Sequence, residues 1–374
     1  MVKVVVVKAD SYNEQVVYQA IQELLEELGG IKQFIKPGDK VLIKPNMLEG
    51  LPPQKAVTTH PEVIRALIRE VKKVGAIPFV GDSPGISSTL KAAEKCGILV
   101  ICQEEEVELV SFSEKMDVIF PEGRTVKKFA LASIYGQVDK VISVAKMKTH
   151  SFMGITGGIK NLFGLIVGKD KAQFHLRMKK RSHFAGMLVD LAQVVSPVLY
   201  IIDGIVGMEG NGPRNGIVKQ AGLLLGGSNG FAVDLIMAEI MGYKSESMPV
   251  ASRALSLGLS PKLQDIEVIG NGCKTRLQFI SPRNLESLDQ RLPMPVVDFF
   301  QNQLTAKPMI TRECIACGRC AAHCPPKAIK MNDDKAVIDY KKCIRCYCCQ
   351  ELCPANAVEL KKGLLLRIFR KGNH

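Results

Sequence analysis

The chain has 374 residues, 47% of them hydrophobic, with 12 cysteines and a formal charge of +13. That length is enough for one large core plus a small module, which argues against a single domain. No run of about 18 apolar residues occurs, and the N-terminal run Val4–Val7 is too short for a secretory signal, so a cytoplasmic protein is expected.

Residues 2–9 read as a buried strand. Asn13 is placed to cap a helix over 14–28, whose apolar Val16, Val17, Ala20, Leu24 and Leu28 recur at helical spacing before Gly29-Gly30 ends it. Pro37-Gly38-Asp39 turns the chain into a strand at 40–43 that runs out into Lys44-Pro45-Asn46. The pattern repeats as a helix from Pro61 to Val74 and a strand at 77–80 closing on Gly81-Asp82-Ser83-Pro84-Gly85. Such alternation predicts an α/β fold, a mainly parallel sheet with helices on both faces.

Ser87 or Ser88 is expected to cap a short helix ending at Cys96. Residues 98–102, 107–111, 118–120 and 125–129 then read as short strands, and 139–145 as a longer one ending in Lys146-Met147-Lys148-Thr149-His150. A Gly-rich stretch, 154–164, opens a helix and precedes the basic run 169–181, a helix near 183–195 and a strand at 198–202 closing on Asp203-Gly204. A second Gly-rich loop, Gly207–Pro213, leads to a strand at 216–226 and a helix at 230–241. Because a strand and not a helix follows it, that loop is no dinucleotide fingerprint. The chain also lacks a Walker-type phosphate loop, so neither NAD nor ATP is indicated.

These stretches resemble the family called domain of unknown function 362, DUF362. The matching residues are Lys44-Pro45-Asn46, Thr59-His60-Pro61, Gly81-Asp82-Ser83, Lys146, Lys148-Thr149-His150, Gly157–Asn161 with Gly164, His175, Asp203-Gly204 and Gly207–Pro213. The resemblance covers most of the chain but brings no activity with it.

In an open α/β sheet, ligands bind beyond the carboxyl ends of the parallel strands. Four strands end in polar signatures, which makes Lys148, His150 and Asp203 candidates for catalysis. Lys44, Asn46, Asp82, Ser83, Lys146, Gly158, Lys160, Asn161 and His175 are candidates for binding a small anionic molecule. Lysines predominate, and the N–H groups expected at Gly157-Gly158 would suit a carboxylate or phosphate. Asp82, Asp203 and Glu209 could hold a metal or accept protons, and His60, His150 and His175 could donate them.

The last region is set by its cysteines. Cys314, Cys317, Cys320 and Cys324-Pro325 recur 29 residues later as Cys343, Cys346, Cys349 and Cys353-Pro354, and the same shift lays Ala328 on Ala357. Zinc sites use two ligand pairs with a longer spacer, and disulfides do not suit a chain without a secretory signal. The spacing resembles that of two-cluster bacterial ferredoxins, whose distant fourth cysteine serves the other cube. The resemblance implies a small α+β domain with two [4Fe–4S] clusters, one on Cys314, Cys317, Cys320 and Cys353, the other on Cys343, Cys346, Cys349 and Cys324. Cys348 is a ninth, spare thiol.

The expected organisation is therefore an α/β domain over 1–280, a linker over 281–306, the cluster module over 307–362 and a basic amphipathic tail over 363–374. The tail is expected to pack on the protein and not on a membrane surface. The module holds 11 Lys and Arg against 6 Asp and Glu, and each oxidised cube with its thiolates is a dianion, so the basic excess is largely counter-charge. Nucleic acid is set aside on that ground. Arg319, Lys341, Lys342 and Arg345 favour an acidic redox partner. Two readings stay open: an iron–sulfur oxidoreductase passing low-potential electrons to an anionic substrate or cofactor, and a non-catalytic electron carrier or accessory subunit. A redox sensor is a third, weaker reading.

Overall fold

The computed structural model describes residues 1–85, 87–178, 180–282 and 306–361, and the backbone alone at Lys169. The tail and nearly all of the expected linker lie outside these residues.

Strand β1 (Val2–Lys8) leads to α1 (Glu14–Glu27), where Asn13 caps the first turn by accepting from the N–H groups of Gln15 and Val16. Val17, Ile21 and Leu24 bury the inner stripe of that helix, and Gly29 and Gly30 end it at φ +90° and +87°. Then come β2 (Lys40–Lys44), α2 (Pro61–Lys73) and β3 (Ile77–Val80), close to expectation. Helix α3 (Thr89–Lys95) is capped by Ser88.

Residues 98–102 depart from the expected strand, for α4 covers Ile98–Glu104. The run Ile-Leu-Val-Ile-Cys is apolar throughout and carries no period of its own. Packing on α2 and α3 selects the helix, burying Ile98, Ile101 and Cys102 at helical spacing and leaving Val100 exposed.

Strand β4 (Glu108–Leu109) is short, while β5 (Lys115–Ile119) and β6 (Lys128–Ala132) pair as a separate antiparallel ribbon. Strand β7 (Lys140–His150) runs on through the stretch expected to leave the sheet. It is held there by β8 (Gly154–Thr156) on one side. Helices α5 (Gly158–Asn161), α6 (Lys169–Arg177) and α7 (Arg181–Val195) follow.

Strand β9 (Leu199–Glu209) likewise continues past Asp203-Gly204, because β10 (Ile217–Gly227) pairs along its whole length. A side chain at Gly204 would meet Met147 at 2.7 Å, so glycine here serves close strand packing and not a turn. Helices α8 (Gly230–Ile240) and α9 (Pro249–Ser256) and strand β11 (Ile266–Ile269) complete the unit.

The main sheet has nine strands among the described residues, in the order β11-β1-β10-β9-β7-β2-β3-β4 with β8 beside β7. Pairing is parallel except along β10 and β8. One apolar core lies under α1, α2 and α4, and the other under α5, α7 and α8, so both faces are covered.

The C-terminal module repeats strand, helix, strand. Its first half is β12 (Lys307–Ile310), α10 (Arg319–Ala322) and β13 (Ile329–Asn332); its second is β14 (Lys335–Ile338), α11 (Cys348–Glu351) and β15 (Val358–Lys361). Strand β12 pairs with β15 and β13 with β14, both antiparallel. The module has a small apolar nucleus of its own, Ile329, Ala336 and Ile338, with the cysteines packed around it, while Ala306, Tyr347 and Leu360 join the core of the large domain. A nucleus of three residues leaves metal binding to add to the module's stability.

Candidate functional site

A cavity of about 650 Å³ lies between the carboxyl ends of β2, β3 and β7 and the cluster module. The strand ends bring Asn46, Asp82, Ser83, Lys148 and His150 to its wall, α5 brings Lys160 and Asn161, and α6 brings Lys171 and His175. The opposite wall is made by Ala322, Cys324, Pro325, Cys348, Glu351 and Leu352. This volume is that of a small-molecule site.

Lys44 does not line the cavity but braces it. Its buried ammonium pairs with Asp82 at 2.8 Å and donates to Asn161 Oδ1 at 3.2 Å. Asp82 also accepts from the N–H of Met47 at 2.8 Å. A Cβ on Gly164 would fall 2.0 Å from Asp82 Oδ1 and 2.6 Å from Lys44 Nζ, so the turn after α5 needs glycine to lie against the pair.

Three further lysines face the cavity with no ion-pair partner among the described residues. Lys148 Nζ donates to the carbonyl of Val57 at 2.5 Å, and burial, reinforced by Lys146 and Lys160, pulls its pKa down to about 7. Lys171 Nζ donates to the carbonyl of Ser83, and burial lowers it to about 7 as well. The Lys160 ammonium lies 4.8 Å from the Phe163 ring centroid, and burial pushes its pKa down too.

His150 and His175 are held neutral by burial. His150 Nδ1 accepts from the N–H groups of Phe152 at 3.0 Å and Met153 at 3.2 Å, which assigns its proton to Nε2, 3.4 Å from Glu351 Oε1. Burial holds its pKa well below the usual range, so it is built to donate a hydrogen bond and not to exchange a proton. His175 stacks on Phe184 at 4.6 Å, and burial lowers its pKa to about 3; its Nδ1 has no hydrogen-bond partner among the described residues.

Other sequence candidates lie elsewhere. Strand alternation sets Lys146, Lys148 and His150 on one face of β7, yet Lys146 does not line the cavity; beside it the register with β9 slips, from Lys146 opposite Asp203 to Lys148 opposite Met208. Lys146 turns to Asp203 at 2.9 Å and Tyr12 at 2.6 Å, and Asp203 also accepts from Tyr12 at 2.7 Å and the N–H of His60 at 2.8 Å. All are satisfied away from the cavity, and His60 itself stacks on Tyr12 and caps α2.

Gly158 offers no free N–H to a ligand. Asp234 on α8 accepts from Gly158 at 2.6 Å and Ile159 at 3.1 Å, filling the anion position at that helix end. Glu209 is likewise taken, by Lys219 at 2.9 Å and the N–H of Ile280 at 3.0 Å.

Sequence reasoning passed over Lys171, Thr156 and Glu351. Lys171 was inside the basic run, but nothing local marked it apart from its neighbours. Glu351 faces the cavity only because α11 docks there.

The module is fastened by the loop after β9. Arg214 donates to the carbonyl of Cys353 at 2.9 Å, and Asn215 to those of Gln350 at 3.0 Å and Cys353 at 3.2 Å. Glu49 pairs with Arg214 and, at 3.0 Å, with Arg319.

Two small spaces inside the module gather the thiols. One is walled by Cys314, Cys317, Cys320 and Cys353, the other by Cys324, Cys343, Cys346 and Cys349 with Cys348; the remaining walls are mostly apolar. The thiols surround a space and do not meet at a point. Among the described residues no three His, Cys, Asp or Glu side chains close on a single ion. Four soft donors around an enclosed apolar space fit a cubane.

The loops are matched at 29-residue spacing. Ala316 and Arg345, Gly318 and Tyr347, and Lys327 and Asn356 all take positive φ, a conformation costly for the non-glycines. Ala328 N–H donates to Cys324 Sγ at 3.2 Å and Ala357 N–H to Cys353 Sγ at 3.1 Å, hydrogen bonds that would tune clusters bound there.

Residues 41–239 match the family Domain of unknown function (DUF362), and residues 313–357 match the 4Fe–4S dicluster domain. The thylakoid-associated protein sll1697 of Synechocystis sp. is 35% identical over 268 residues, 71% of this chain and 83% of that protein. Among solved structures, the lactate racemase apoprotein from Thermoanaerobacterium thermosaccharolyticum aligns at 14% identity with a TM-score of 0.39, over 60% of this chain and 54% of that one. No helix among the described residues is long and apolar enough to cross a membrane. By sequence and by the arrangement of its two parts, the chain belongs to the DUF362 family and carries a 4Fe–4S dicluster domain on its C-terminal side.

Proposed function

We propose that this protein passes low-potential electrons through two [4Fe–4S] clusters, held by the two cysteine sets, to a small anionic substrate or cofactor in the cavity. One observation carries the reading: the cavity that Lys148, His150 and Lys160 line on one side is closed on the opposite side by Cys324 and Pro325 of the second cysteine set. A molecule held by the lysines therefore faces a cluster loop.

When bound, the clusters supply single reducing equivalents, replaced by a reduced carrier protein. Lys148 holds the anion, and His150 donates from Nε2 to an oxygen on it. Lys44 and Asp82 position Asn161 and the adjoining wall. The loop around Cys317 and Ile315 is exposed, which suits entry of electrons from the carrier there. Lys341, Lys342 and Arg345, in the loop of the other cysteine set, suit an acidic docking face on that partner. A reducing, cytoplasmic location accords with thiolate-bound clusters.

The test is anaerobic purification, mass spectrometry of the small molecule released on denaturation, and stopped-flow mixing of that molecule with dithionite-reduced protein. Reoxidation at least tenfold slower in Lys148→Ala, with iron content kept, is the expected result. Retention of no small anion, with electrons passing only to an added carrier protein, would leave a non-catalytic carrier and sink the proposal.

A further inference from the structure

The two walls of the cavity differ in kind. The strand-end wall presents three ammonium groups, from Lys148, Lys160 and Lys171, none ion-paired among the described residues. They act on one another: Lys160 is felt by both Lys148 and Lys171. Asp82 is already matched by Lys44 at 2.8 Å, so Glu351 is the carboxylate on the wall left opposite three amino groups. Burial lowers Lys148 and Lys171 to about 7, so the three amino groups hold their full charge only when an anion of matching charge sits among them.

The module's wall is mostly apolar. Beyond Glu351 and His323 it consists of Ala322, Pro325, Leu352 and two cysteines. The site also holds polar groups awaiting a partner: Thr156 Oγ1 and His175 Nδ1 are buried, 4% and 8% exposed as residues, and neither has a hydrogen bond among the described residues.

Resting on the anion-binding reading above, we infer that the ligand is a small organic dianion, a phosphate ester or a dicarboxylate. Its charged groups lie on Lys148, Lys160 and Lys171, and its uncharged body lies against Ala322, Pro325 and Leu352. The orientation has a chemical consequence: the part nearest Cys324 is the uncharged part, so the group that accepts electrons belongs to the body and not to the phosphate or carboxylate. The step balances when each of the two reduced clusters gives one electron, the body takes up these two electrons with two protons from solvent, and the anionic groups are unchanged.

The experiment is isothermal titration of the cluster-loaded protein, anaerobically at pH 7, with four probes: inorganic phosphate, phenyl phosphate, succinate and acetate. At least one dianion is expected to bind ten times more tightly than acetate. Phosphate against succinate distinguishes the two sources of charge, and phenyl phosphate is expected to gain about another tenfold over phosphate through its ring. Lys171→Gln should weaken the preferred dianion about tenfold, and Lys160→Gln with Lys171→Gln about a hundredfold, at unchanged iron content. Acetate binding as tightly as both dianions, or dianion affinity unchanged in the double variant, overturns this inference and leaves an anion site of lower charge. Failure of all four probes to bind removes the anion-binding reading as well.

Discussion

Replacing Asp203 by alanine tests whether its carboxylate is architectural. Asp203 is fully buried and accepts three hydrogen bonds, from Tyr12 at 2.7 Å, the N–H of His60 at 2.8 Å and Lys146 at 2.9 Å. Alanine leaves the Lys146 ammonium, only 1% exposed, without its counter-charge, and strips a partner from both the tyrosine and the backbone amide. Removing one member of a buried ion pair costs about 3–5 kcal/mol. Against a typical total of about 5–15 kcal/mol, that is a large share of the fold's stability. Lys146→Met combined with Asp203→Ala should cost less than the two single changes added together, since the double variant buries no lone charge. The assay is urea unfolding of the anaerobic, cluster-loaded protein followed by far-ultraviolet circular dichroism. A loss under about 1 kcal/mol in Asp203→Ala would refute the argument, and a chemical role for Asp203 would then follow if electron delivery still failed.

Three other outcomes follow from particular contacts. Cys346→Ala should lose roughly half of the bound iron whereas Cys348→Ala keeps it, as read by iron assay and electron paramagnetic resonance; equal loss in both would make Cys348 a ligand. Arg214→Gln removes a cation hydrogen-bonded to the Cys353 carbonyl, which should lower the midpoint potential of the cluster on that side by some tens of millivolts, because a cation favours the reduced, more negative state. An unchanged potential in a spectroscopic redox titration would count against it. Finally, sulfate affinity should fall as pH rises through and above 7. Burial pulls Lys148 and Lys171 from the ordinary 10.5 to about 7; at Lys148 the charges of Lys146 and Lys160 add to it while Glu351 and Asp82 oppose it, and at Lys171 Asp82 opposes it while Lys44 and Lys160 add to it. An anion favours their charged forms and so takes up protons, which become scarcer above pH 7. Titration calorimetry showing a flat affinity from pH 6 to 9 would remove the lysines from the site.

Much of this could be read along the chain. The 29-residue recurrence of cysteines, proline and Ala328 with Ala357 anticipated the duplicated module, because a covalent spacing and a turn are local properties. Helices α1 and α2 announced themselves through caps and one apolar stripe. Residues 98–102 did not, since a continuous apolar run carries no period and its neighbours chose for it. The ends of β7 and β9 were hidden for a similar reason: each extends only where a partner strand pairs with it.

The sequence by itself determined that soft ligands recur in two matched sets and that polar groups cluster where strands end. It did not determine which of those groups look into one cavity. Asp234 fills the helix end at Gly158, Asp203 draws Lys146 away, and docking of the cluster module sets Glu351 and Cys324 opposite Lys148. Those arrangements join residues tens to hundreds of positions apart, and each is settled by burying a charge only where a counter-charge waits, a condition met in three dimensions and not along the chain.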